Sequence, residues 1–300
     1  MTLRPLPELF AQARSGGYAL GYFESWNIES LQGVIDAAEQ TRSPVIVGFS
    51  GDFLTRPERK PREKIAWYGA LGRAAAEAAA VPCGLIFNEC PFEEGVRQAV
   101  QEGFNLVMLA NSERSYEEYT RCVTGLVSYA HGQGAAVEAE IGELPVGSTG
   151  RVVTEHSSQT DPELAQRFVA ATGVDLLSVS VGNIHILVDG QRDLDLERLD
   201  RIHHSVDIPL GLHGGSGISE HTLRQAIRLG IAKVAFGTYI KQRYLAAIQK
   251  AVGDSGPGLE TNPHKLLGMG GEEDVLVAGR LAVRDAVLER MEFLGCCGKA

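Results

Sequence analysis

The chain predicts an α/β fold, one closed (β/α)8 (TIM) barrel over residues 1–300 with an additional C-terminal helix. Three observations carry this: eight short β-prone apolar runs, a helical pattern in most intervals, and no break in composition. Most of the eight runs are continuously apolar rather than alternating, which suits strands covered on both faces. An open doubly wound sheet is the alternative, and strand count discriminates between them. With 44% hydrophobic and 22% charged residues, the chain has enough apolar material for one large core.

The first strand is ALGYFE, Ala19–Glu24, followed by the segment Ile28–Thr41 with Leu31, Val34, Ile35 and Ala38 at helical spacing. PVIVGFS (Pro44–Ser50) is the second strand, and the alanine-rich Glu63–Ala80 is strongly helix-prone. CGLIFNE (Cys83–Glu89), a helix over Pro91–Glu102 and LVMLA (Leu106–Ala110) continue the alternation. A helix over Tyr116–Gln133 leads to AVEAEIG (Ala136–Gly142). Asp161-Pro162 then opens a helix ending near Thr172, with an N-cap side chain followed by proline at the first helical position. LLSVSVG (Leu176–Gly182), a helix over Leu194–His204, Ile208–His213, a helix over Glu220–Leu229 and KVAFGT (Lys233–Thr238) complete the eight. Residues 255–300 depart from the pattern as a turn-rich spacer and a long amphipathic helix, Leu276–Phe293. That helix packs either on the barrel or on a second subunit, and the reading leans to the subunit.

A formal charge of −10 argues against nucleic acid or an anionic membrane as partner, while leaving room for a small anionic substrate in a locally positive site. No apolar run reaches membrane-spanning length, and the first residues lack the uninterrupted apolar core of a signal peptide. Five cysteines without paired spacing point to a reduced, cytoplasmic chain, with Cys296 and Cys297 as packing or surface thiols.

Chemistry concentrates in IPLGLHGGSGIS, Ile208–Ser219, where a buried strand delivers His213 at its carboxyl end and a glycine-rich turn opens a helix. The imidazole can ligate a metal, and the backbone N–H groups of the turn can hold an anion. The plain reading is a strand–turn–helix corner whose glycines serve only the turn. The other strand ends add Glu24, Ser50, Asn88, Glu89, Ser112, Glu113, Glu138, Glu140, Asn183, His185 and Thr238. Working residues of such barrels cluster at those ends. Two histidines on consecutive strand ends plus two carboxylates have the composition of a divalent-metal site, although a lone strand-end histidine is more often a hydrogen-bonding surface residue. Glu138 and Glu140 are two apart on a strand and so share a face; a carboxylate buried in such a run needs a cation or several donors.

Over nearly its whole length the chain resembles the class II, metal-dependent fructose-bisphosphate and tagatose-bisphosphate aldolases. The likeness is carried by GYALGYFESWNIESLQGVIDAAEQTRSPVIVGFS, YAHGQGAAVEAEIGE, TDPELAQRFVAATGVDLLSVSVGNIHI, IPLGLHGGSGIS and the terminal FLGCCGKA. The resemblance implies a barrel that forms a homodimer or tetramer, with a zinc-type ion held by His185 and His213 and with Glu140 at the glutamate position. It implies phosphate contacts from Gly214, Gly215, Ser216 and Thr238. The family's Asp-His at the third strand end is Asn88-Glu89 here, so Asn88 cannot shuttle a proton and an anionic Glu89 stands in place of a neutral ligand. The expected metal set is therefore Glu89, Glu140, His185 and His213, a composition that also admits Mn2+, Fe2+ or Co2+. Ile186, Ala110, Ala235 and Gly237 replace further family side chains, and the loop after the fifth strand is rebuilt with Glu143, Glu155 and His156 as its titratable groups. Asn88, Glu138, Glu155 and His156 are the catalytic candidates, with Ser50 beside Asn88 on the substrate. The expected function is a metal-dependent carbon–carbon lyase acting on a small ketose or ketose phosphate through a metal-stabilised enediolate. The alternatives are an isomerase, epimerase or decarboxylase on the same ion, or a non-catalytic metabolite binder.

Overall fold

Eight parallel strands close on themselves in chain order in the computed structural model, which describes residues 2–111, 114–142, 159–187, 189–254 and 262–300. They are β1 (Leu20–Ser25), β2 (Val45–Ser50), β3 (Cys83–Cys90), β4 (Leu106–Leu109), β5 (Ala136–Ile141), β6 (Leu176–Val179), β7 (Leu210–Leu212) and β8 (Ile231–Phe236). Closure is made by β1 against β8, with Gly21 opposite Val234 and Phe23 opposite Phe236. That pairing sets aside the open-sheet alternative. Between and around the strands run α1 (Leu6–Gly16), α2 (Ile28–Thr41), α3 (Gly51–Thr55), α4 (Ile65–Ala78), α5 (Glu93–Gln101) and α6 (Tyr116–His131). The remainder are α7 (Pro162–Thr172), α8 (Leu196–Ser205), α9 (Glu220–Arg228), α10 (Thr238–Asp254), α11 (Pro263–Leu266) and α12 (Val275–Leu294).

Local signals set several boundaries. Asn27 and Ser30 form a reciprocal capping box on α2, Ser115 and Glu118 another on α6, and the Asp161 side chain accepts from the Leu164 N–H ahead of Pro162 on α7. Where the strands are shorter than the apolar runs, competing hydrogen bonds explain it. β6 stops at Val179 because Ser180 exchanges bonds with Thr160 and the Val181 N–H is taken by the Asn183 side chain. The long α10, for which the sequence offered only the end of the strand pattern, begins at Thr238 directly after β8.

The C-terminal helix packs on its own barrel, which corrects the leaning toward a second subunit. Val283, Ala286, Val287, Met291 and Leu294 of α12 are buried against the rest of the chain, and Arg280 forks onto Asp36 of α2 at 2.6 and 2.7 Å. α2 and α12 approach so closely at Gly33 that a Cβ there would lie 2.6 Å from the Arg280 carbonyl oxygen. Alternate residues of the strands fill the barrel: Phe23 stacks on Phe236 at 5.3 Å outside it, while Tyr22, Glu138 and Lys233 are drawn together within it. Among the described residues no helix is long and apolar enough to cross a membrane.

Candidate active site

At the carboxyl ends of the strands lies a cavity of 760 Å³. β1 contributes Tyr22 and Glu24, β2 Ser50, β3 Asn88 and Glu89, and β5 Glu140. His185 and Ile186 enter from the segment after β6, His213, Gly214 and Ser216 from the turn after β7, and Lys241 from the first turn of α10. This is the end at which a (β/α)8 barrel carries its chemistry.

From the cavity lining down into the barrel runs a chain of paired charges, with Glu89 and His213 at its open end. Lys233, wholly buried, donates to Glu138 Oε2 at 2.5 Å. Glu138 Oε1 accepts from Ser178 Oγ at 2.7 Å and meets His213 Nε2 at 2.9 Å, while His213 Nδ1 meets Glu89 Oε1 at 2.8 Å. Burial by itself opposes charge on all these groups, but each lies against its counterion. Beside Glu89, with further bonds to Glu138 and Glu89, the His213 ring is pushed up to about 10 despite its burial. Burial would raise Glu138 and Glu89, yet Lys233 and His213 hold the first down to about 2, and His213 and His185 do the same for the second. Each His213 ring nitrogen thus faces a carboxylate oxygen, an arrangement that favours the protonated ring.

Two residues at this end hold the left-handed backbone that side chains avoid: Glu89 at φ 54° and the β-branched Ile186 at φ 55°. Such strain costs on the order of 1–3 kcal/mol per residue and gathers at functional sites. Gly214, at φ 69°, has no room for a side chain, since a Cβ there would lie 2.1 Å from the Ile184 carbonyl oxygen. Among the described residues, three buried polar atoms on cavity-lining side chains have no hydrogen-bond partner: the Tyr22 hydroxyl, Asn88 Oδ1 and Glu140 Oε2. Native proteins rarely leave such atoms unpaired without a reason. Burial raises Glu140 above the usual carboxylate range, with His213 only partly offsetting it, and burial together with Glu24, Glu89 and Glu138 keeps the Tyr22 phenol firmly protonated.

The remaining candidates fall in several places. Ser50 lines the cavity and caps α3 by accepting from the Phe53 N–H at 3.2 Å. Ser216 Oγ accepts from the Tyr239 N–H at 3.2 Å, and Thr238 sits on the wall at the start of α10. Gly215 is buried behind the wall, where a Cβ would meet Val234 and the Ala235 carbonyl. Glu138 shares the inward face with Glu140, as their spacing required, but lies under the floor holding His213. Ser112, Glu113, Glu143, Glu155 and His156 lie outside the described residues. Tyr22, Lys233 and Lys241 were not singled out from the sequence. Lys233 was legible as a charge inside the apolar run IAKVAF, had that strand been started two residues earlier.

The class II fructose-bisphosphate aldolase model matches residues 4–299. The chain is 32% identical over 283 residues to the Escherichia coli (strain K12) protein YdjI, covering 94% of each chain. It is 30% identical over 307 residues to a fructose-bisphosphate aldolase of Geobacillus stearothermophilus, covering 100% of this chain and 99% of that one. Among solved structures it resembles the YdjI aldolase from Escherichia coli K12, with a TM-score of 0.79, 30% identity and 99% of each chain covered. A fold of this kind with its polar pocket at the strands' carboxyl ends defines a small-molecule barrel protein of enzymatic ancestry. The chain belongs to the class II fructose-bisphosphate aldolase family.

The metal-dependent activity expected for that family is corrected by the arrangement of its donors, as are the zinc centre and the Mn2+, Fe2+ or Co2+ alternatives. Among the described residues no group of three or more His, Cys, Asp or Glu side chains is disposed to hold an ion. The expected ligands are committed to one another. His213 has both ring nitrogens against carboxylates, Glu89 Oε1 faces His213 and Oε2 accepts from Asn88 Nδ2 at 2.9 Å, and His185 Nδ1 stands 3.5 Å from that same Glu89 Oε1. Glu140 joins none of these bonds; its backbone N–H donates to the Tyr119 hydroxyl at 3.3 Å, and its Oε2 has no partner among the described residues. The carboxylates at this end face basic groups of the protein itself, Glu89 against His213 and Glu138 against both His213 and Lys233.

Proposed function

We propose that the chain is an aldehyde-lyase that cleaves or forms a carbon–carbon bond beside the carbonyl of a small hydroxylated ketose, by proton transfer among its own side chains. The observation that carries this reading is the trio of unpaired buried atoms on residues that line the pocket, the Tyr22 hydroxyl, Asn88 Oδ1 and Glu140 Oε2, which combine a donor, an acceptor and a carboxyl. A retro-aldol step needs a base for the hydroxyl proton, a donor for the carbonyl oxygen as it gains negative charge, and an acceptor that orients the substrate. Glu140 takes the hydroxyl proton, its raised affinity for protons bringing it nearer neutral pH. As the bond between the α and β carbons breaks, its electrons pass through the α carbon to the carbonyl oxygen, giving the aldehyde and an enolate that the Tyr22 O–H and the half-buried His185 ring stabilise. Water then protonates the α carbon to give the ketone, and the resulting hydroxide takes back the proton held by Glu140. Asn88 Oδ1 holds a substrate hydroxyl, and its amide keeps Glu89 in place. Glu138 and Lys233 act through His213, fixing its charge and position rather than touching substrate. The five free cysteines suit a reducing compartment, in keeping with a cytoplasmic enzyme.

The test is retro-aldol cleavage across a panel of ketoses, read as released aldehyde, with the reaction repeated in deuterated water. Glu140→Gln lowers kcat by about 10²- to 10⁴-fold, the usual contribution of a general base. Solvent deuterium entering a recovered, uncleaved ketose would instead assign an isomerase, and an unimpaired Glu140→Gln would remove the base from this scheme.

A further inference from the structure

The wall between β1 and β8 carries groups that the lyase scheme leaves unused. Glu24, at the end of β1, accepts from Lys241 Nζ through Oε1 at 2.6 Å. The same ammonium lies 4.3 Å from the centre of the Phe53 ring, so an apolar face as well as the carboxylate fixes its place. The other oxygen, Oε2, is seated against the backbone of Gly237, where a Cβ would come within 2.5 Å of it. Gly237 immediately precedes α10, whose Tyr239 N–H is already taken by Ser216 Oγ.

An incoming phosphate ester would seek a lysine, the amides at a helix start and a hydroxyl donor. On this wall the Lys241 ammonium is already paired with Glu24 and the Tyr239 N–H is taken by Ser216 Oγ, and the carboxylate among them is an anion of the wrong sign for company. A second anion brought within a few ångströms of Glu24 is repelled in a partly desolvated site.

We propose that Glu24 is the specificity-determining residue of this pocket: it holds Lys241, and reserves the β1–β8 wall for a neutral, hydroxyl-bearing end of the substrate rather than a phosphorylated one. The proposal rests on the reading of the cavity as the active site. A substrate hydroxyl can donate to Glu24 and accept from Lys241 without either charge losing its partner, whereas a phosphate drawn to Lys241 brings its charge against the Glu24 carboxylate.

Inorganic phosphate tests this without turnover, by isothermal titration calorimetry on the purified full chain. The wild type shows no saturable binding below about 10 mM, and Glu24→Gln, which keeps the shape and removes the charge, binds roughly 10- to 100-fold more tightly. That gain is lost again in Glu24→Gln/Lys241→Met. Submillimolar binding by the wild type would overturn the proposal, and needs no variant to fold. So would a Glu24→Gln chain that binds no better, or a gain that survives loss of Lys241. Any of these leaves the lyase reading standing, while absence of aldehyde release with phosphate behaving as expected removes the lyase reading and leaves the selectivity of the wall intact.

Discussion

Replacing Lys233 by methionine isolates the buried charges under the pocket. Lys233, Glu138, His213 and Glu89 form an alternating series of two cations and two anions, whose sum is zero. Lys233→Met keeps most of the side-chain volume but leaves one negative charge uncompensated around a wholly buried Glu138. Breaking a buried pair from one side costs about 3–5 kcal/mol. Against a total stability of about 5–15 kcal/mol this is severe, and for a chain of this size it lowers the Tm by roughly 6–10 °C. Adding Glu138→Gln to Lys233→Met removes the orphaned charge, so the double variant recovers part of the loss, with a coupling of about 2–3 kcal/mol. The pH dependence has a definite sign. Glu138 is held down to about 2 in the folded protein, so its contribution is present above the ordinary glutamate range and is lost as pH falls through about 2. Without Lys233 that carboxyl protonates more readily, and the gap between variant and wild type narrows on acidification. Denaturant unfolding followed by circular dichroism from pH 7 down to pH 4 measures both effects. A loss below about 1 kcal/mol that does not change with pH would refute the ionised series.

Two further outcomes follow from the same region. Nitrogen-15 spectra of the His213 ring show both nitrogens protonated at neutral pH, with titration near pH 10; its stabilising contribution is complete below about pH 6.5 and is lost as pH rises through 10, so a neutral ring at pH 7 would contradict the assignment. Ile186→Gly releases a left-handed residue worth about 1–2 kcal/mol and loses about 0.5–1 kcal/mol to glycine's freedom when unfolded, so chemical denaturation finds the variant as stable as the wild type or about 1 kcal/mol more stable. A clear destabilisation would show that the isoleucine side chain contributes more than its backbone costs.

The barrel was readable from the chain because its signals are local. Val45–Ser50 and Leu106–Leu109 lie within continuous apolar runs, and Asp161-Pro162 and Asn27 mark helix starts by hydrogen bonds that close within three residues. Alternation placed Glu138 and Glu140 on one face and the strand ends around one mouth. α10 escaped notice because its helical pattern follows β8 without a loop to announce it.

What the site does with its charges depends on contacts that span most of the chain. Sequence alone named His185, His213, Glu89 and Glu140 as strand-end groups, and residue types with metal-ligand chemistry are equally suited to pairing with one another. The choice was made by Lys233, which enters 95 residues from Glu138, and by Glu138 and Glu89, which reach His213 from 75 and 124 residues away. A carboxylate on each side favours the protonated form of that imidazole, which has no lone pair to offer. Coulomb interaction in a desolvated interior depends on which charges face each other across the barrel, a fact of three-dimensional placement that residue spacing along the chain does not encode.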